Sequence, residues 1–406
     1  MRSILASTSV VLVMLGSAAL LGPKEPAPPL PAALAGNGDW LVRAVQLSQL
    51  RLPLLITGLV LPPIALWIFV RRGRSARLRR RLIERGIRNP WLLAGIFTLL
   101  LDGGLLLLAL PLDAASYFLR RAFGLSAETA TTWLVRQLAE AGVSAVLLVL
   151  AVEGFYWLMR RFPRLWWVHA SAGYALFSLA SVYLYPLVIT PLFFNQQPLT
   201  DPALRARIMQ MGARVGVPIG EIYVIDASRQ GNEGNAYFTG VGGTTRIVIY
   251  DTLLKNYPPD ELMSILGHEM GHWYEQHIWK GLILSWIAAP FGLYAAHLIL
   301  LRTLPRWGIR APTDIAGLPF LLLLLNLVLL ATLPIQNWQS RRWESDADRF
   351  AVRATSDPQA FARTLAHLAR QNLSDPTPPR MVEALFATHP AVGRRIASLS
   401  RGSTGP

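Results

Sequence analysis

The 406 residues are 52% hydrophobic and only 16% charged, with a positive mean hydropathy, which excludes an ordinary soluble globular protein and makes the bilayer the first solvent to consider. The net charge of +15 sits on arginines clustered beside apolar runs, and the most basic loop, 71–88, has no aromatic residue on which a base could stack, so the pattern argues against nucleic acid and for anionic lipid headgroups. With no cysteine, disulfides, thiolate metal ligands and a cysteine nucleophile are all excluded.

A bilayer core takes about 20 apolar residues in a helix, because hydrocarbon satisfies no backbone polar group. Seven stretches qualify or nearly so: 4–22, 52–70, 91–112, 143–159, 166–194, 281–301 and 316–335. The first reads equally as an anchor or as a cleaved signal peptide, since Arg2 precedes a short apolar run and a Pro-rich segment follows. Residues 195–280 change character and form a soluble insert. Within it "EIYVIDA" (221–227), "NAYFTGV" (235–241) and "TRIVIYD" (245–251) have the β-branched and aromatic content of strands, and "VGGTT" supplies a hairpin turn between the last two.

After the strands, "PPDELMSILGHEMGHWYEQH" has an acidic start behind prolines and helical spacing of Leu262, Ile265 and Leu266, so it predicts a helix that runs on toward the sixth span. Past the seventh span, "QSRRWESDADRFAVRATS" predicts another helix, followed by "PQAFARTLAHLARQNL" and a short one after "THPAVGRR". The expected fold is a mainly α-helical polytopic membrane protein with a small α+β insert. Its units are 1–90 (first span, Pro-rich segment, second span and basic loop), 91–194 (spans three to five), 195–280 (insert), 281–335 (spans six and seven) and 336–406 (C-terminal helical segment).

The chemistry lies in "ILGHEMGHWYEQH", 265–277. Residues four apart share a helix face, so His268 and His272 can present imidazoles to one ion, with Glu269 on the same turn. That is the zincin arrangement: two histidines hold Zn²⁺, and the glutamate takes a proton from the water the metal activates and passes it to the leaving amine. The extended motif with a third histidine is excluded, because Glu275 and Ile278 occupy its glycine and histidine positions. A downstream carboxylate remains. Glu344 and Asp348 are four apart on a predicted helix, so one can bind the ion while the other orients a ligand histidine. Gly267 and Gly271 suit a helix packed closely on another element. His277 is rotated off the ligand face and reads as a helix-end or interfacial residue, and His169, His297 and His367 read as structural.

"HEMGHW" with "SRRWESDADRFA" resembles the type I CAAX prenyl endopeptidases of peptidase family M48, intramembrane zinc proteases whose pattern is HExGHW followed by SRRxExxAD. "GNAYFTG", "RIVIYDTLL" and "THPAVGRRIASL" are similar to further motifs of that family, and the likeness spans about 90–400. The resemblance implies one zinc per chain on His268, His272 and Glu344, with Glu269 as general base and acid. It also implies Asp348 behind a ligand, Asn235 on an edge strand near the scissile carbonyl, His389 as an oxyanion or substrate contact, and a peptide or protein substrate, possibly lipidated or membrane-associated. A large water-filled chamber, faced by Asp102, Glu153, His297 and Asn326, is a further implication; helix–helix hydrogen bonds account for those residues equally well.

Arginines at 71–88, 160–164 and 302–310 fall on one face if the spans alternate, and Arg2 falls there too. By the positive-inside rule that face is cytoplasmic and the insert is extracytoplasmic, whereas the resemblance to eukaryotic members implies a cytosolic zinc domain. Abundant arginine and alanine with scarce lysine suggest a GC-rich bacterial source. The competing reading is a noncatalytic transporter or scaffold braced by a metal, and Glu269 discriminates, because a structural site needs no general base.

Overall fold

Six helices are long and apolar enough to cross a membrane in the computed structural model, which describes residues 31–34, 38–229, 231–232, 234–239, 245–303 and 307–402. The expected first span, 4–22, lies outside the described residues. Helix α1 (Asp39–Arg71) carries the second expected span, and the basic loop folds as α2 (Arg74–Glu84). Helices α3 (Pro90–Ala122), α4 (Ala130–Arg161) and α5 (Trp166–Leu184) follow. Asn89 starts α3 by accepting hydrogen bonds from the amides of Trp91 and Leu92, with Pro90 at the first helical position, where its missing N–H costs nothing. A π-helical turn at Tyr185–Ile189 and a four-residue helix, Thr190–Phe193, lead the chain out of the fifth expected span.

The insert is a four-stranded sheet with helices on it. Its elements are β1 (Gln196–Pro198), α6 (Pro202–Val215), β2 (Glu221–Ile225), β3 (Ala236–Thr239) and β4 (Arg246–Tyr250), then α7 (Asp251–Asn256) and α8 (Pro259–Tyr274). The spatial order is β1-β2-β4-β3, so β3 is an edge strand; β2 and β4 are parallel, and β3 runs antiparallel to β4 with Phe238 opposite Ile247. The turn expected at "VGGTT" falls mostly outside the described residues, though the antiparallel β3–β4 pair it was to join is present. Ile222, Ile247 and Ile249 bury the sheet against Leu262, Ile265, Leu266 and Met270 of α8, which is the hydrophobic face the spacing predicts.

The helix beginning at Pro259 does not run unbroken into the next span. Gln276 adopts φ +56°, a left-handed conformation that ends α8, and a new helix, α9 (His277–Thr303), starts at His277. Conversely, the last expected span and the helix after it are one continuous rod, α10 (Leu318–Thr355), because no glycine or proline interrupts 336–345 and Pro334 is tolerated within it. Helices α11 (Pro358–Gln371), α12 (Arg380–Phe386) and α13 (Val392–Gly402) complete the chain. The sequence pattern does not announce β1, α6, α7 or α12, each short or without a strong apolar period.

At the arginine-rich end of the bundle, a buried Arg79–Asp314 ion pair and a Ser75 hydroxyl donating to the Ala316 carbonyl pin α2 under the start of α10. Of the polar residues expected to face a chamber, His297 accepts a hydrogen bond from Trp166 Nε1 at 3.0 Å, and Asn326 donates to Leu322 of its own helix at 2.8 Å. Those two side chains therefore have partners within the helices.

Candidate metal centre

Helix α8 begins with Pro259, and Asp260 and Glu261 in its first turn complement the positive end of the helix dipole. One face of α8 buries apolar side chains on the sheet, and the face carrying Gly267 and Gly271 lies on α10. A Cβ on Gly267 would stand 3.4 Å from Ala351 Cα, and one on Gly271 would stand 2.9 Å from Ala347 Cα. Gly271 therefore lets two helix backbones approach closely, with Gly267 a turn away at near-ordinary contact, and this approach carries Glu344 to the two histidines.

His268 Nε2 lies 3.2 Å from Glu344 Oε2, and His272 Nε2 lies 3.3 Å from Glu344 Oε1. The two histidine Nε2 atoms stand 3.2 Å apart. A tetrahedral set of N and O ligands about 2.0–2.1 Å from zinc has edges of roughly 3.3–3.4 Å; the two Nε2 atoms are about that far apart, and one ligand atom from each of the three residues lies within 4.8 Å of the others. The donor chemistry fits as well, since imidazole and carboxylate ligands suit zinc. Burial pulls the His268 imidazole down, but the carboxylates of Asp348 and Glu344 more than offset this and raise its pKa to about 9. The pocket thus favours positive charge between its carboxylates, which a divalent cation supplies.

The remaining groups surround this triad. His268 Nδ1 lies 2.9 Å from Asp348 Oδ1, so a carboxylate stands behind the ring while Nε2 is turned toward Glu344. Arg395, on α13, grips Asp348 with two hydrogen bonds, Nε to Oδ2 at 2.8 Å and Nη2 to Oδ1 at 2.6 Å. Burial alone would push the Asp348 carboxyl up, but Arg395 and His268 hold it below the usual range. Glu344 is likewise pushed up by burial and pulled well below its ordinary value by His268 and His272. Glu269 is raised by burial, against the lowering influence of the two imidazoles.

His389 is brought to the same point, with Nε2 3.2 Å from Glu344 Oε1 and its side chain 59% exposed. Helix α10 holds that segment in place: Asn337 donates to the Leu385 carbonyl at 2.6 Å, and Arg341 donates to those of Glu383 and Ala387 at 2.9 and 2.7 Å. Asn235 lies immediately before edge strand β3 and is exposed. Its carbonyl accepts from the Tyr250 amide, and no hydrogen bond among the described residues ties its side chain to the triad. Phe238 on β3 and Trp273 on α8 pack with ring centroids 5.9 Å apart, so the edge strand lies alongside the helix that carries the histidines.

His277 departs from expectation. It does begin a helix, but the break at Gln276 turns it back so that its Nδ1 lies 2.9 Å from His272 Nδ1. His169 stacks on Phe162, and His367 Nδ1 lies 2.9 Å from Glu261 Oε2, both away from the triad. Sequence reading missed Arg341 and Arg395. "THPAVGRR" did place Arg394 and Arg395 shortly after His389, but only the fold shows that Arg395 turns to Asp348 while Arg394 pairs with Glu383.

Residues 198–402, just over half of the chain, match the family model described as peptidase family M48. Residues 47–195 match the one described as CAAX prenyl protease N-terminal, five membrane helices. The chain is 29% identical over 370 residues to the uncharacterized metalloprotease YhfN of Bacillus subtilis, covering 90% of this chain and 87% of that one. It is 32% identical over 189 residues to the probable CAAX prenyl protease 1 of Schizosaccharomyces pombe, covering 46% of this chain and 40% of that relative's length. Its fold matches that of the crystal structure of S. mikatae Ste24p with a TM-score of 0.84 over 98% of both chains, at 22% identity.

Proposed function

The chain belongs to peptidase family M48 and is a multi-pass membrane zinc metalloprotease acting on peptide or protein substrates; on that premise we propose that His268, His272 and Glu344 hold one zinc ion and that Glu269 is the general base and acid. The observation that carries the assignment is the convergence of two imidazole nitrogens and a carboxylate at 3.2–3.3 Å with Glu269 on the same helical turn. When bound there, zinc supplies Lewis acidity that polarises water and the scissile carbonyl. Glu269 takes the proton of the attacking water and returns it to the leaving amine, and its burial-raised pKa suits both steps. Asp348 and Arg395 orient His268. Edge strand β3 takes an extended peptide by strand addition, Asn235 lies near the scissile carbonyl, and His389 donates to the developing oxyanion. A metal-braced scaffold is not favoured, because it has no use for Glu269.

We place the substrates among membrane-associated, lipidated or misfolded polypeptides; similarity to proteins named CAAX prenyl protease 1 supports the lipidated class. Helix α2 exposes Arg74, Arg77, Arg80 and Arg81 at the end of the bundle where Arg160, Arg161 and Arg302 also lie, a surface for anionic headgroups and the cytoplasmic side by the positive-inside rule. The insert and the C-terminal helices then lie outside, in a bacterial cytoplasmic membrane by composition. The test is hydrolysis of casein and of a prenylated reporter peptide by purified protein in detergent, after chelation and after zinc is restored. Cleavage lost on chelation and recovered with zinc supports the reading; cleavage indifferent to chelation sinks it.

A further inference from the structure

The two histidines of the centre are supported differently. Asp348 stands behind His268, whereas the atom behind His272 is Nδ1 of another imidazole, that of His277, at 2.9 Å. We propose that His277 is a positioning residue that accepts the Nδ1–H of His272 and so fixes the tautomer that leaves His272 Nε2 facing the metal. The inference rests on the reading that His268, His272 and Glu344 hold zinc.

Three observations carry it. In an unbroken helix, five residues would rotate His277 by about 140° from His272. The left-handed Gln276 instead ends α8 and folds His277 back onto it, at the strain of a non-glycine residue with φ +56°. The His277 ring is also buried and fixed, at 4% exposure and stacked on Trp343 with centroids 5.1 Å apart and planes 17° apart. Trp343 is the neighbour of ligand Glu344, so the ring that fixes His277 belongs to the same helix as the carboxylate.

The proton count then leaves one arrangement. If His272 Nε2 is to donate a lone pair to a metal, its proton must sit on Nδ1, and the partner 2.9 Å away must accept. His277 Nδ1 can accept only if the His277 proton is on Nε2. That atom is buried without a hydrogen-bond partner and faces Asp346 Oδ2 at 4.0 Å. Asp346 is also engaged by Arg349. The support of His272 therefore comes from the His277 imidazole itself, where that of His268 comes from a carboxylate.

The test uses full-length protein in detergent and two variants. His277→Phe keeps a planar ring against Trp343 and removes the acceptor; His277→Asn removes the ring and restores an acceptor near the Nδ1 position. Zinc dissociation constants come from competition with a chromophoric chelator, and the ligand field is read from the visible spectrum of the cobalt(II)-substituted protein. The expected result is a 10- to 100-fold weaker zinc affinity and an altered cobalt spectrum for His277→Phe, with most of the affinity regained in His277→Asn and the melting temperature of zinc-free His277→Phe unchanged. Wild-type affinity and spectrum in His277→Phe overturn the proposal. Equal weakening in both variants, tracking a lowered melting temperature, overturns it in favour of a packing role. A wild type that takes up no zinc overturns it together with the ligand assignment beneath it.

Discussion

Gly271→Ala tests whether the centre depends on the close approach of α8 and α10. A Cβ at Gly271 would stand 2.9 Å from Ala347 Cα, 3.0 Å from Phe350 Cβ and 3.1 Å from the Ala347 carbonyl oxygen. Two of these atoms are backbone and the third is a Cβ, so none can swing aside. Ordinary carbon contacts lie at about 3.5–4.0 Å, so the helices must part by about 0.5–1 Å. The overpacking costs about 1–3 kcal/mol, against which the better helix propensity of alanine returns about 1 kcal/mol. Stability therefore falls modestly. The larger effect is on the centre, because Glu344 lies three residues, just under one helical turn, from Ala347 and moves with it; displacement of that size costs about 100-fold in rate. Gly267→Ala is the internal control: its Cβ would meet Ala351 Cα at 3.4 Å, a near-ordinary contact, so it should leave activity almost unchanged and stability equal or higher. The assay is zinc affinity and peptide hydrolysis for both variants beside melting temperature. If Gly271→Ala cleaves and binds zinc like wild type, the close approach does not set the ligand geometry and the reasoning fails.

Asp348→Asn leaves buried Arg395 without its carboxylate and costs about 3–5 kcal/mol near neutral pH, visible as a lowered melting temperature. Because folding holds the Asp348 carboxyl below its ordinary value, the stability it contributes is present above about pH 3.9 and is lost as pH falls below that through its native pKa; the asparagine variant lacks this part of the acid transition in melting curves taken from pH 6 to pH 2. His389→Ala should lower kcat about 100-fold with KM and zinc content nearly unchanged, as for loss of an oxyanion donor. A rise in KM alone would make His389 a substrate-binding group instead. Asn235→Ala, at an exposed position beside the edge strand, should lower kcat/KM about tenfold or more without shifting the melting temperature.

Much of this architecture is legible in the chain because the bilayer makes hydrophobic length a direct reading of span, and because four-residue spacing on a helix makes His268/His272 and Glu344/Asp348 visible as pairs. The strands of the insert are legible for a similar reason, being short β-branched runs bounded by polar turns. What is not legible is where helices break or continue. A single backbone angle at Gln276 relocates His277 from a residue facing away to the partner of His272, and nothing in "WYEQH" announces it. Arg395 is hidden for another reason. Its role is set by the packing of α13 on α10, a contact between positions 47 residues apart, and two adjacent arginines look alike until the fold separates them. Asn235 is the reverse case, a residue singled out by family resemblance whose side chain has no hydrogen bond to the triad among the described residues.

The central claim, a zinc-centred protease with Glu269 as its base, is tested most directly by Glu269→Gln, measured for zinc content and peptide hydrolysis on the same preparations as wild type. The account predicts about one zinc per chain in both proteins and cleavage by the wild type alone, the variant losing about 100-fold or more in kcat. Equal cleavage by the two proteins, each holding zinc, would contradict the role of Glu269, and loss of zinc from the variant would show that this carboxylate holds the metal instead of moving the proton.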